Sequence, residues 1–180
     1  MLLSFNTWGL GGKTKNQHFR ALIKSLGQYI ILIQETMCIS SPTLLAFSKI
    51  LPSQEFCVIS ASMISNDLLT AWNLHKVKCR AFQTCAGLLV QVSIRGMSAP
   101  ISILNVYGPY RDREPFWEKA LHGGLLRILN LILGGDLNIT LYSSEIWGKK
   151  ASTDPLSHHF ISLFESVGLV DLAPQYARPT

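Results

Sequence analysis

An α/β sandwich of sheets with helices on the outside is the fold class predicted by this sequence, and three observations carry the prediction. Helix-linked strands open the chain, short and partly alternating segments fill its middle, and a strand–helix–strand–helix order closes it. Sheets whose outer faces are covered by helices produce that mixture of local patterns. At 180 residues, with 48% hydrophobic and only 15% charged side chains, the chain can bury the core such a fold needs. The length suits a single domain over residues 1–180.

Taken in order, Met1 to Phe5 is an apolar strand that runs into the glycine-rich Asn6-Thr-Trp-Gly-Leu-Gly-Gly12 loop. No Gly-Lys-Ser/Thr follows at P-loop spacing, so this loop does not cradle a nucleotide's phosphates in that way. Phe19, Leu22, Ile23 and Leu26 recur at helical spacing from Thr14 onward, and Gly27 stops the helix. Tyr29 to Ile33 is a buried strand, followed at once by Gln34, Glu35 and Thr36. Pro42 starts a helix whose apolar face is Leu44, Leu45 and Phe47. Residues 56–59, 67–72, 76–83 and 87–94 lack helical periodicity and predict an antiparallel meander.

Ile101 to Tyr107 is the next strand, ended by Gly108-Pro109. From Arg111 to Leu129, Phe116, Trp117, Leu121, Leu125 and Leu129 predict a helix weakened in its middle by Gly123-Gly124. Leu131 to Leu133 is a buried strand that stops at Gly134-Gly135 and delivers Asp136 and Asn138. A polar loop from Thr140 to Thr153 carries Lys149 and Lys150. It precedes a helix from Pro155 to Val167, capped by Thr153 or Asp154, and a short apolar stretch, Leu169 to Leu172.

Composition narrows the function classes. The net charge of +5 suits a polyanionic partner, although no dense Lys/Arg block exists. Cys38, Cys57, Cys79 and Cys85 form no CxxC pair and have no histidine at zinc-ligand spacing, which predicts reduced thiols in an intracellular compartment. No signal peptide is evident, and the longest apolar runs are strand-length, so neither secretion nor a membrane is predicted. Nothing calls for an obligate protein partner. No Ser-His-Asp or Cys-His pairing stands out.

The chemistry concentrates at strand ends. Asn6, Glu35, Asn105 with Tyr107, and Asp136 with Asn138 each close an apolar strand. In extended backbone Asp136 and Asn138 point to the same side. Two readings stand side by side: a corner where Asp and Asn satisfy nearby backbone groups, or a site that uses a desolvated acid and amide. If the strands are neighbours, their ends converge on one edge. Glu35 with Asn6 then offers hard oxygen ligands for Mg²⁺. Asp136 can orient or deprotonate a water, while Asn138 and Tyr107 can donate hydrogen bonds to a phosphate. That inventory suits metal-assisted phosphodiester hydrolysis.

Asn6-x-x-Gly9, Gln34-Glu35-Thr36, Asn105-Val106-Tyr107 and Gly134-Gly135-Asp136-x-Asn138, in this order, resemble the endonuclease/exonuclease/phosphatase superfamily. Finer texture resembles the endonuclease domain of plant LINE-type (non-LTR) retrotransposons. It lies in Asn6-Thr-Trp-Gly-Leu-Gly11, in Tyr107-Gly-Pro-Tyr110 with Phe116-Trp117, and in Leu169-Val-Asp-Leu172. The resemblance implies a four-layer sandwich of two mixed sheets flanked by helices, a divalent metal (Mg²⁺ or Mn²⁺), and nicking of DNA. By position it makes Glu35 the metal ligand with Asn6 assisting, and sets Tyr107 on the scissile phosphate. It gives Asp136 and Asn138 the attacking water and the developing charge. Thr180 falls near the DNA surface, with Trp8 and Lys13 as further nucleic-acid contacts.

Departures from the family pattern shape the expectation. The family continues to an Asp and a Ser-x-His or Asp-His pair in its last strands, which this chain does not reach. His18, His75, His122, His158 and His159 do not fit that role. Ser65-Asn66-Asp67 stands where relatives have Ser-Gly-Gly, and Tyr110 where many have Asn. The expectation is therefore a fold without its last strands: a degenerate phosphodiesterase with impaired or no activity, partnered by DNA and nuclear sooner than cytoplasmic. A non-catalytic nucleic-acid-binding remnant and a phosphatase of the same superfamily are the alternatives.

Overall fold

The computed structural model describes residues 2–7, 9, 13–27, 29–36, 48–49, 54–59, 67–145 and 154–172. Two compact units divide the chain, residues 1–137 and 138–180. The helix predicted at Pro42, the caps and bases at Trp8, Lys149, Lys150 and Thr153, Ser65-Asn66, and Thr180 lie outside the described residues.

The first unit holds two mixed four-stranded sheets. Strands β1 (Leu2–Asn6), β2 (Ile30–Gln34), β4 (Leu68–Asn73) and β3 (Gln54–Ile59) form one sheet in that spatial order. Strands β5 (Lys78–Gln83), β6 (Gly87–Ser93), β7 (Ile101–Tyr107) and β8 (Leu131–Asp136) form the other. Helix α1 (Lys13–Leu26) joins the parallel pair β1 and β2, and α2 (Arg113–His122) joins the parallel pair β7 and β8. All other pairings are antiparallel. The predicted α/β sandwich is what forms.

Alternation along β2 explains the layering. Ile31 and Ile33 pack with Phe19 and Ile23 of α1, together with Leu69 and Ala71. Ile30 and Leu32 face the other way, into an inter-sheet core with Trp72, Val77, Leu88, Val90, Val92 and Ile103. A strand buried on both faces shows no apolar–polar alternation, which is why β2 and β4 read as continuous apolar runs.

Two expectations need correction. The meander from residues 56 to 94 is not one sheet: β3 and β4 pair in the first, β5 and β6 in the second, and the chain changes sheet in the turn after Asn73. The predicted helix from Arg111 to Leu129 ends at His122. Gly123 caps it, Gly124 takes a left-handed φ of 75°, and Leu125–Arg127 forms a 3-10 turn. The glycine pair terminates the helix instead of kinking it.

In the second unit, a 3-10 turn at Ser143–Glu145 lies within the predicted loop. The Glu145 carboxylate accepts hydrogen bonds from the Leu141 and Tyr142 amides, satisfying donors that a turn leaves unpaired. Helix α3 (Ser157–Glu165) follows, shorter than predicted. Asp154 accepts a hydrogen bond from the Leu156 amide at 3.0 Å, just before the helix.

Cys57 and Cys79 lie half-buried against the inter-sheet core, whereas Cys85 is exposed. Burial raises both thiols, Cys79 to about 12. Thiolate is the reactive form. Brief iodoacetamide treatment at about pH 8 should therefore modify Cys85 well before Cys57 or Cys79, as read by peptide mass spectrometry. Early modification of Cys79 would contradict the packing.

Candidate active site

Register and alternation bring the strand ends together. Asn6 pairs with Gln34 across β1 and β2, and Tyr107 pairs with Asp136 across β7 and β8. Leu2, Ile30, Leu32, Ile101, Ile103 and Ile132 belong to the inter-sheet core. Two-residue steps from these lead to Asn6, Gln34, Asn105, Tyr107 and Asp136, all on the inward faces. Both parallel pairs thus end in polar residues at one edge of the sandwich.

The Asn6 amide bridges the two sheets there, beside a Tyr107–Glu35 hydrogen bond. Asn6 Nδ2 donates to Glu35 Oε1 at 3.2 Å and to Asp136 Oδ2 at 2.8 Å. The two carboxylate oxygens sharing that nitrogen are therefore at most about 6 Å apart. Glu35 is only 3% exposed. Its backbone is left-handed, with φ 53°, which costs a non-glycine residue about 1 kcal/mol. The end of β1 holds it in place: Glu35 O accepts from Gly9 N at 2.8 Å and from Thr7 Oγ1 at 3.1 Å. Thr7 Oγ1 also lies 3.0 Å from Gln34 O. Sequence reasoning passed over Thr7, a hydroxyl one step past a strand-end amide.

Tyr107 is nearly buried at 4% exposure, and its hydroxyl donates to the Tyr110 hydroxyl at 3.2 Å. Burial raises its pKa most, followed by the Tyr110 hydrogen bond and by a hydrogen bond with, and the charge of, Glu35. The phenol stays protonated. A raised value in the folded state contributes stability below the ordinary tyrosine pKa of about 10, and that contribution is lost as pH rises through the raised value. Subtracting the alkaline tyrosinate titration of Tyr107→Phe from that of the parent protein should leave no signal at about pH 10. A normal titration step there would show that Tyr107 is not held as described.

Two glycines make room for Asp136. A Cβ at Gly134 would stand 2.8 Å from Leu32 Cδ1, inside the core. Gly135 has φ 121°, and a Cβ there would run into the Val106 carbonyl oxygen. The glycine pair therefore lets β8 lie close on β2 and β7 as it reaches the edge.

Not every strand-end residue belongs to the cluster. Asn105 is fully buried and ties the sheets deeper in, accepting from Gln34 Nε2 at 2.7 Å. The alternation argument for Asn138 fails, because β8 ends at Asp136 and Asn138 is left-handed with φ 51°. Asn138 is the first residue of the second unit. Lys13 begins α1. The histidines of the first unit stand elsewhere. His18 is exposed on α1, while His75 follows β4 and His122 ends α2, both at the opposite edge.

Comparison with known proteins adds fold-level likeness. No protein-family model matches the chain, and no characterised protein matches it by sequence. Among solved structures, the endonuclease domain of TRAS1, a telomere-specific non-LTR retrotransposon, superposes with a TM-score of 0.66 at 17% identity, covering 93% of this chain and 71% of that one. AP endonuclease LMAP from Leishmania major gives 0.70 at 14% identity, covering 91% and 65%. TDP2 from D. rerio, complexed with a single-strand DNA product, gives 0.55 at 16% identity, covering 77% and 60%. The chain thus spans from about three fifths to seven tenths of these structures' lengths. With its paired mixed sheets and outer helices, the chain shares the fold of these endonuclease and TDP2 structures, the non-LTR retrotransposon endonuclease domain among them.

Proposed function

We propose that this is a divalent-metal-dependent phosphodiesterase domain of retrotransposon origin that engages DNA and hydrolyses it slowly or not at all. The observation that carries the proposal is the Asn6 amide shared by the Glu35 and Asp136 carboxylates. Two carboxylates so close repel each other unless a cation lies with them. Their hard oxygens suit Mg²⁺ or Mn²⁺, so the donor set fits. Glu35 is the principal ligand, and Asn6 positions it. When bound, the cation neutralises charge on a phosphate and lowers the pKa of a coordinated water.

The remaining roles belong to the chain's own groups. Asp136 accepts a proton from, or orients, the attacking water. Tyr107, held protonated, donates to a phosphate oxygen. Trp8 and Lys13 extend the DNA contact. His18, His75 and His122 stand away from this edge and do not supply it with an imidazole acid–base group, which contributes typically 10²–10⁴-fold. Support for DNA as substrate comes from the nuclease neighbours and from the net charge of +5. A nuclear location follows from that substrate.

Plasmid nicking with Mg²⁺ or Mn²⁺, run beside Glu35→Ala and Asp136→Ala, tests the proposal. Slow conversion of supercoiled to open-circular DNA that vanishes in both variants is the expected result. Nicking that survives both would sink the site. Salt-sensitive binding with no nicking at all would leave the nucleic-acid-binding alternative.

A further inference from the structure

Tyr110 lies in the loop just after β7, and its geometry suggests a use for the ring. Its ring is 70% exposed, directly beside a nearly buried tyrosine of the proposed phosphate site. The two rings meet edge to face, with centroids 6.2 Å apart and planes at 78°. The Tyr107 hydroxyl donates to the Tyr110 hydroxyl at 3.2 Å, fixing the exposed ring by its polar tip. Pro109 before it restricts the loop, and Arg111 after it is exposed. An exposed aromatic face held beside the proposed phosphate site, with an arginine following it in the sequence, suits unpaired nucleotides: the ring stacks on a base and a cation follows the backbone.

We infer that Tyr110 is a stacking platform for an unpaired base flanking the phosphate, giving this domain a preference for single-stranded or locally opened DNA. The inference rests on the phosphodiester reading of the Asn6–Glu35–Tyr107–Asp136 edge and assigns that site its substrate class. A base in a duplex is already stacked and cannot present its face to Tyr110 without being unstacked.

Fluorescence anisotropy in EDTA at one salt concentration tests it on the intact protein. The probes are a labelled oligothymidylate, an abasic strand of equal length and charge, and a duplex. The parent protein should bind oligothymidylate more tightly than either of the others. Tyr110→Ala should weaken oligothymidylate binding by about 5- to 100-fold and leave the abasic strand unchanged. Tyr110→Phe, which keeps the ring, should retain most of the preference. Equal binding of oligothymidylate and abasic strand by the parent protein would overturn the inference. So would an Ala variant that keeps the preference, or a duplex that binds best. Because the assay excludes metal and hydrolysis, its failure is separate from failure of the nicking experiment: metal-dependent nicking with no base preference would refute the platform alone.

Discussion

Asp136→Asn should melt above the parent protein in metal-free buffer and yet lose the stabilisation that Mg²⁺ or Mn²⁺ confers. The opposite signs arise from one geometry. Glu35 and Asp136 share the Asn6 Nδ2 donor, at 3.2 and 2.8 Å. At about 6 Å, two negative charges near a protein surface repel by about 1–3 kcal/mol. The shared Asn6 donor offsets part of that. Neutralising Asp136 removes the repulsion and should raise Tm by a few degrees, at about 2–4 °C per kcal/mol for a chain of this size. A cation that binds only the folded state adds about 2.7 kcal/mol at a hundredfold excess over its Kd, roughly 5–10 °C. The parent protein should show that increase with Mn²⁺, and Asp136→Asn should show little or none. Glu35→Gln should behave likewise for metal, with a smaller gain in metal-free buffer because Glu35 is buried in a fixed, left-handed backbone. A variant that melts lower without metal and still responds to Mn²⁺ would place the cation elsewhere.

The convergence of Asn6, Tyr107 and Asp136 was legible because strand periodicity is two, whereas Glu35, one step off that face, joins them through its left-handed backbone. Once Leu2, Ile30, Ile103 and Ile132 are assigned to the core, their faces are fixed several residues further on. What escaped the sequence depends on backbone or tertiary choice. Asn138 has the right spacing from Asp136, but the left-handed φ that Asn tolerates breaks the alternation. Leu129 extends the helical spacing of α2, yet it is 84% exposed, because Gly123 and Gly124 end the helix first. Partition of the middle strands between two sheets left no local trace: β4 is buried on both sides and gives no alternation to orient it. Tyr110 looked like a lost asparagine, and only its exposure and its bond to Tyr107 show what the ring can offer.

Asn105→Leu should destabilise the fold by about 3–5 kcal/mol, more than any exchange at the neighbouring edge. From the sequence, Asn105 resembled a site residue, since it stands two positions before Tyr107 on the same face. Its surroundings show a structural load instead. Its Oδ1 accepts from Gln34 Nε2 at 2.7 Å, while its Nδ2 donates to Leu69 O and Thr70 Oγ1, both at 3.1 Å, with Ile33 O at 3.5 Å. One side chain of the second sheet thus reaches a side chain of β2, a side chain of β4 and backbone carbonyls of both. Leucine of similar volume would leave the buried Gln34 amide, the Thr70 hydroxyl and the Leu69 carbonyl without that partner, and unmade bonds to buried groups cost about 1–3 kcal/mol each. The double variant Gln34→Leu/Asn105→Leu replaces both ends of the shortest bond with apolar groups. It should recover part of the loss, a coupling that a double-mutant cycle measures by chemical denaturation. If Asn105→Leu instead kept stability and lost DNA or metal response, Asn105 would belong to the site rather than to the seam between the sheets. The expected order is the reverse: stability falls first, and the Glu35–Asp136 pair fails only because β2 and β8 are no longer held together.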